Sequence, residues 1–192
     1  MPQNAPLIVQ SDSTILADVH APDYEAVRPL LARFAELERS PEHIHFYRIT
    51  PLSLWNAAAA GLRITDVLDV LSRYSRFELP ANLVTLIAET MARYGVLRLT
   101  RHAQALVLEA DDSALLDRVC ADERCRPYLG QRLTPRAVQV EPWARGELKQ
   151  ALVGLGYPAE DLAGYVQGAA LHFELRAVSV QGQPRTPRTL GA

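Results

Sequence analysis

The feature that most constrains this chain is a series of three amphipathic helical periods followed at once by two strand periods, between Thr50 and Ala110. Thr50 can cap, Pro51 suits a first helical turn, LSLWNAAAA continues the helix, and Gly61 supplies a left-handed stop. Ile64, Val67, Leu68 and Leu71 fall on one face of a second helix. A third, opened by Pro80 and closed by Gly95, carries Leu83, Leu86, Ile87, Met91 and Tyr94 on its apolar face. Val96 to Ala110 then alternates as two strands around a turn near His102 and Ala103. Three helices and a hairpin in that order predict a winged-helix-like unit over residues 50–110.

The flanks predict an α+β protein. Leu7 to Val19 reads as a hairpin, LIVQ and TILADV, with the turn formers Ser11, Asp12 and Ser13 between its strands. Tyr24, Val27, Leu31 and Phe34 keep helical spacing within 23–38, and Pro29 predicts a kink or a late start. His43 to Ile49 alternates as a strand, with His43, His45, Tyr47 and Ile49 on one side. These elements and the winged-helix-like unit form an expected domain over 1–110. A short helix and irregular connector follow over 111–136, where Pro127, Gly130 and Pro135 interrupt any period. A small α+β module is expected over 137–176: strand Ala137 to Glu141, helix Trp143 to Val153, a turn through Gly154, Gly156 and Pro158, a helical piece near Ala159 to Tyr165, and strand Ala170 to Leu175. Residues 177–192, rich in Pro, Gly, Ser and Thr, are expected to be a disordered tail.

Charge excludes a global attraction to nucleic acid or membranes, since 20 basic residues meet 22 acidic ones. Any affinity for DNA must come from a local patch. No apolar run approaches the ~18 residues of a membrane span. With Cys120 and Cys125 read as reduced thiols, the chain is expected in the cytoplasm. The sequence holds no GxxxxGK[ST] loop, HExxH, GxSxG or CxxC. Gly154, Gly156 and Ala159 match GxGxxA but follow a helix instead of a strand, so the spacing marks a turn. His43 and His45 with His20 or Cys120 offer metal-ligand types, but nothing fixes a full ligand set, and packing or exposure is the preferred reading. Asp111 and Asp112 precede a helix and read as caps. No catalytic, cofactor or metal site is expected. Trp55 and Trp143 are read as core anchors in preference to base-stacking platforms.

The candidate binding residues are Arg93, Arg98 and Arg101, which run from the third helix into the hairpin with no acid between them. Arginine in a wing reaches phosphates or the minor groove. Asn82 and Thr85 share the polar stripe of the third helix and would face bases in a recognition role, where Glu89 argues against tight reading. Residues 61–108 hold six arginines against four acids, whereas 109–130 hold six acids against three arginines, so the basic field is local and mild.

The runs SPEHIHFYRITPLSLWNAAAAGL, VLDVLSRYSRFELP and MARYGVLRL, within 40–99, resemble the amino-terminal region of XPB-type DNA repair helicases. The resemblance begins near LIVQSDSTIL, resumes in VEPWARGELKQALVGLGYPAEDLAGYVQG, which looks like the damage-recognition module before the motor, and covers most of 7–175. It implies a 3′ to 5′ DNA helicase or translocase of nucleotide excision repair, with transcription initiation added in the eukaryotic complex TFIIH. In that family a strand like HFEL leads into the Walker A loop and two motor lobes, but here VSVQGQPRTPRTLGA follows, so the ATP-binding residues have no positions to occupy. The expectation is a non-catalytic accessory region that needs no cofactor. It would bind DNA weakly and salt-dependently, a protein partner of the repair machinery, or both, with motor lobes as further partners if the chain belongs to a longer one. The alternative is a stand-alone winged-helix-like adaptor or regulator that binds protein partners.

Overall fold

The computed structural model describes residues 4–103 and 105–164. The chain starts with β1 (Leu7–Val9) and β2 (Thr14–Asp18), which pair antiparallel as the hairpin pattern predicts. Ser13 adopts a left-handed φ of 72° at the turn, and the Asp12 carboxylate accepts from the Thr14 N–H. Helix α1 (Tyr24–Leu31) begins before Pro29 and contains it, instead of starting late. Its Tyr24, Val27 and Leu31 are buried, so tertiary packing offsets the donor that proline lacks. Strand β3 (Glu36–Arg39) occupies part of the stretch expected to be helical, and β4 (Ile44–Arg48) follows. The sheet order is β1-β2-β4-β3. Period-two alternation turns Ile15 and Ala17 inward beside Tyr47 and His45.

Three further helices join α1 on this sheet's core. Helix α2 (Pro51–Ala59) is closed by a reciprocal cap: Ser53 N–H donates to Thr50 Oγ1 and Thr50 N–H to Ser53 Oγ. Gly61 supplies the left-handed turn at φ 84°. In α3 (Ile64–Tyr74) and α4 (Ala81–Ala92), Val67, Leu71, Leu83 and Ile87 are fully or almost fully buried. Leu86, expected on the buried face, is 42% exposed, because it lies one residue off the row of Leu83, Ile87 and Met91.

A second core begins beyond α4. Strands β5 (Leu97–His102) and β6 (Ala105–Ala110) form the expected hairpin, but they are central strands of a five-stranded sheet and not a wing hanging from the helices. Helix α5 (Ser113–Ala121) precedes β7 (Leu129–Thr134) and β8 (Ala137–Val140). The sheet order is β7-β8-β6-β5-β9, where β9 (Ala159–Asp161) pairs parallel with β5. Leu97, Leu99, Leu106 and Leu108 pack there with Leu116, Val119, Leu148 and Leu152.

Four details of the second half differ from expectation. A strand, β7, lies within the stretch that looked irregular. Helix α6 (Arg145–Leu155) starts two residues later than Trp143 and runs through Gly154 to the left-handed Gly156. The expected helical piece at 159 is β9, whose Asp161 is anchored by Arg145 and Lys149. Trp143 is 64% exposed instead of buried, resting edge-on against Tyr128 at 5.9 Å. The expected strand 170–175 and tail 177–192 lie outside the described residues.

Candidate nucleic-acid and partner interface

The arginines that adjoin in sequence do not share one face. Arg93 caps the C-terminus of α4, while Arg98 and Arg101 lie on β5 an odd number of residues apart and therefore point to opposite sides of the sheet. Arg98 donates to the Asp111 carboxylate at 2.5 Å and to the Gly95 carbonyl at 3.0 Å. Arg101 donates to the Ala163 carbonyl at 3.3 Å. Arg93 instead stacks its guanidinium 5.5 Å from the centre of the Tyr157 ring. On α4, Asn82 donates to the Ser11 carbonyl at 2.8 Å, and the Thr85 hydroxyl bonds back to Ala81 within its own helix. Both side chains are exposed but hold internal partners.

The other polar candidates divide in the same way. Asp112 caps α5 by accepting from the Leu115 N–H at 2.8 Å, as expected, while Asp111 pairs with Arg98. His20 and His43 share a hydrogen bond of 2.9 Å, and His45 bonds Tyr24. Cys120 packs against the second core, so the suggested nitrogen and sulfur ligands are not brought together. Among the described residues no group of three or more His, Cys, Asp or Glu is arranged to hold a metal. Burial, with the Asp122 carboxylate adding to it, pushes the Cys125 thiol up to about 11, which keeps it protonated and unreactive.

Between α2 and the α6–β9 segment lies a cleft of about 440 Å³. Leu52, Val153 and Leu162 line it at 51%, 39% and 56% exposure, with Trp55 and Tyr94 behind them. Burial and the nearby carboxylates of Glu160 and Asp161 raise the Tyr94 phenol above its ordinary value, so it stays a neutral donor. Asp161 stands at the cleft edge with its carboxylate bonded to Arg145 at 2.6 Å and Lys149 at 2.9 Å. Burial raises its pKa, but these bonds and charges outweigh burial and hold the acid below the usual range.

A second cleft, of about 400 Å³, was invisible in the sequence. It joins Arg93 to Arg118 of α5 and Tyr157 beyond α6, residues that no local pattern connects.

The described residues thus form two cores with solvent-facing clefts at their surface. A family model described as the helicase conserved C-terminal domain matches residues 7–134, and the chain belongs to that family. It is 51% identical to "DNA 3'-5' helicase XPB" of Kineococcus radiotolerans over 90% of this chain and 31% of the relative. It is 50% identical to the protein of the same description from Mycobacterium tuberculosis, over 87% of this chain and 31% of the relative. A "General transcription and DNA repair factor IIH helicase/translocase subunit XPB" from Enterocytozoon bieneusi is 26% identical over 85% of this chain and 27% of the relative. The chain is thus an XPB-like helicase region spanning about a third of the length of these relatives.

Proposed function

We propose that this chain is a non-catalytic accessory region lying ahead of the motor of an XPB-like DNA repair helicase, and that it works by binding distorted duplex DNA. One observation carries the reading: half of the residues are identical to those of DNA 3'-5' helicases, over a stretch whose own sequence holds no phosphate loop. The division of labour would assign ATP chemistry to the motor lobes and contact to this region. In this reading Arg93 is the foremost phosphate contact. Arg98 and Arg101 contribute only after releasing Asp111 and the Ala163 carbonyl, and Asn82 and Thr85 sit beside the DNA as neutral partners. Such contacts position a protein without specifying sequence. The end of α4 and the five-stranded sheet that contains β5 and β6 would together present them.

The test is fluorescence anisotropy with plain, bubbled and lesion-bearing duplexes of one length across a salt series. Weak binding that strengthens on distorted duplex and falls steeply with salt is expected. Absence of binding to all three at low salt refutes the DNA reading.

A second reading, docking of a protein partner, is favoured by the half-exposed Leu52, Val153 and Leu162 in the cleft beside α2. It is also favoured by relatives whose names call them subunits of a transcription and repair factor. Leu52→Glu with Leu162→Glu would then abolish association with partners of the helicase and leave DNA affinity unchanged.

A further inference from the structure

From the cleft that joins α4, α5 and Tyr157, we infer a phosphate-binding site in which Arg93 and Arg118 grip one backbone phosphate of a nucleic acid strand. This rests on the DNA reading above and assigns it a location.

Both guanidiniums lie 5.5 Å from the centre of the same Tyr157 ring, so the two charges are held no more than about twice that distance apart. The ring attracts each cation and restricts its motion without neutralising it. Neither arginine forms an ion pair with any described residue. Asp111 and Asp112 also line the cleft, yet both are engaged: Asp111 by Arg98 at 2.5 Å, and Asp112 by the Leu115 N–H at the start of α5 at 2.8 Å. Two exposed arginines, prepositioned and without an ion-pair partner among the described residues, thus face one cleft. Guanidinium forks match phosphate oxygens in number and geometry. Arg98 acts here as a positioning residue, since its bond keeps the Asp111 charge from the pair. The cleft's apolar floor, which includes Val96 and Leu115, suits the hydrocarbon edge of a sugar next to the phosphate.

The experiment uses the full chain and a fluorescent duplex in a salt series, comparing wild type with Arg93→Gln/Arg118→Gln, Arg93→Lys/Arg118→Lys and Arg28→Gln, an exposed arginine on α1 away from the cleft. Both clefted arginines are exposed, and unchanged melting curves will show that each variant is folded. The Gln pair is expected to weaken binding roughly tenfold and to flatten log affinity against log salt by about 0.9, the value of one lost phosphate contact. The Lys pair should keep the slope, and Arg28→Gln should resemble wild type. Inorganic phosphate and a polyglutamate peptide serve as competitors. Displacement of DNA by phosphate, lost in the Gln pair, supports the site. If the Gln pair binds DNA with unchanged slope, the site is refuted while the DNA reading stands; if wild type binds no duplex at all, the DNA reading fails and the site with it. Loss of peptide binding alone, with DNA binding unchanged, overturns the nucleic-acid assignment.

Discussion

Replacing Trp55 with alanine tests whether the α2–α4 contact holds the first core together. The indole is 7% exposed and its Nε1–H donates to the Thr90 carbonyl at 2.9 Å. Truncating a buried tryptophan costs about 3 to 5 kcal/mol, as the loss of transfer energy is compounded by a cavity that closes only in part. The lost hydrogen bond adds little, because the Thr90 carbonyl still accepts from the Arg93 N–H at 3.2 Å and is not left bare. Trp55→Phe keeps most of the volume, so its cost should be about 1 to 2 kcal/mol, well below that of alanine. For a chain of this size each kcal/mol lowers the melting temperature by about 2 to 4 °C, which sets the alanine shift at about 6 to 20 °C. Urea unfolding followed by far-UV circular dichroism, with thermal melts in parallel, measures both variants. An alanine variant that melts within about 2 °C of wild type would show that the helix contact does not depend on this ring. Equal losses for phenylalanine and alanine would assign the effect to the hydrogen bond.

Other perturbations follow from the same geometry. Trp143→Ala should cost under about 1 kcal/mol, since the ring is 64% exposed and rests edge-on against Tyr128, and it should remove the solvent-exposed, red-shifted part of the fluorescence. Asp161→Asn should cost roughly 1.5 to 3 kcal/mol at pH 7, the usual worth of hydrogen bonds to a charged group. Because the folded protein holds this acid below its ordinary 3.8, its contribution is complete above that pH and is lost as pH falls through the lower folded value. Urea midpoints of wild type and Asp161→Asn should therefore converge below about pH 3.8 and stay apart above it; a constant gap would refute the linkage. ATP turnover, with or without DNA, should not exceed that of a heat-killed control, and measurable hydrolysis would refute the non-catalytic reading.

Elements with a buried row bounded by capping or turn-forming residues were legible in the sequence, and those without such a row were not. Helix α2 was marked at its start by Thr50 and Pro51 and at its end by Gly61, so its bounds followed from local chemistry. Strand β3 has no buried residue, and β7 is exposed along nearly all its length, so neither shows the alternation that marks a half-buried strand. Strand β9 is three residues long and depends on its parallel pairing with Leu97 to Leu99, a partner far away in sequence. Trp143 misled because its size suggested an anchor, whereas burial is decided by Ala144, which takes the inward position where α6 begins.

The candidate site divides along the same physical line. Arg98 and Arg101 looked like one patch because they are close in the chain, but a strand's period of two sends residues three apart to opposite faces, and that separation was readable in advance. The grouping of Arg93 with Arg118 and Tyr157 was not readable. It exists only because the end of α4, one turn of α5 and the loop after α6 converge around one ring. Short-range pattern located the arginine-rich stretch, but tertiary packing determines which arginines remain available: an arginine beside a carboxylate just past the neighbouring strand is occupied, whereas one held by an aromatic face keeps its charge for a ligand. On this basis Arg93 is the member of the original set that should carry most of any phosphate contact, and its role depends on the Asp111–Arg98 pair next to it remaining intact.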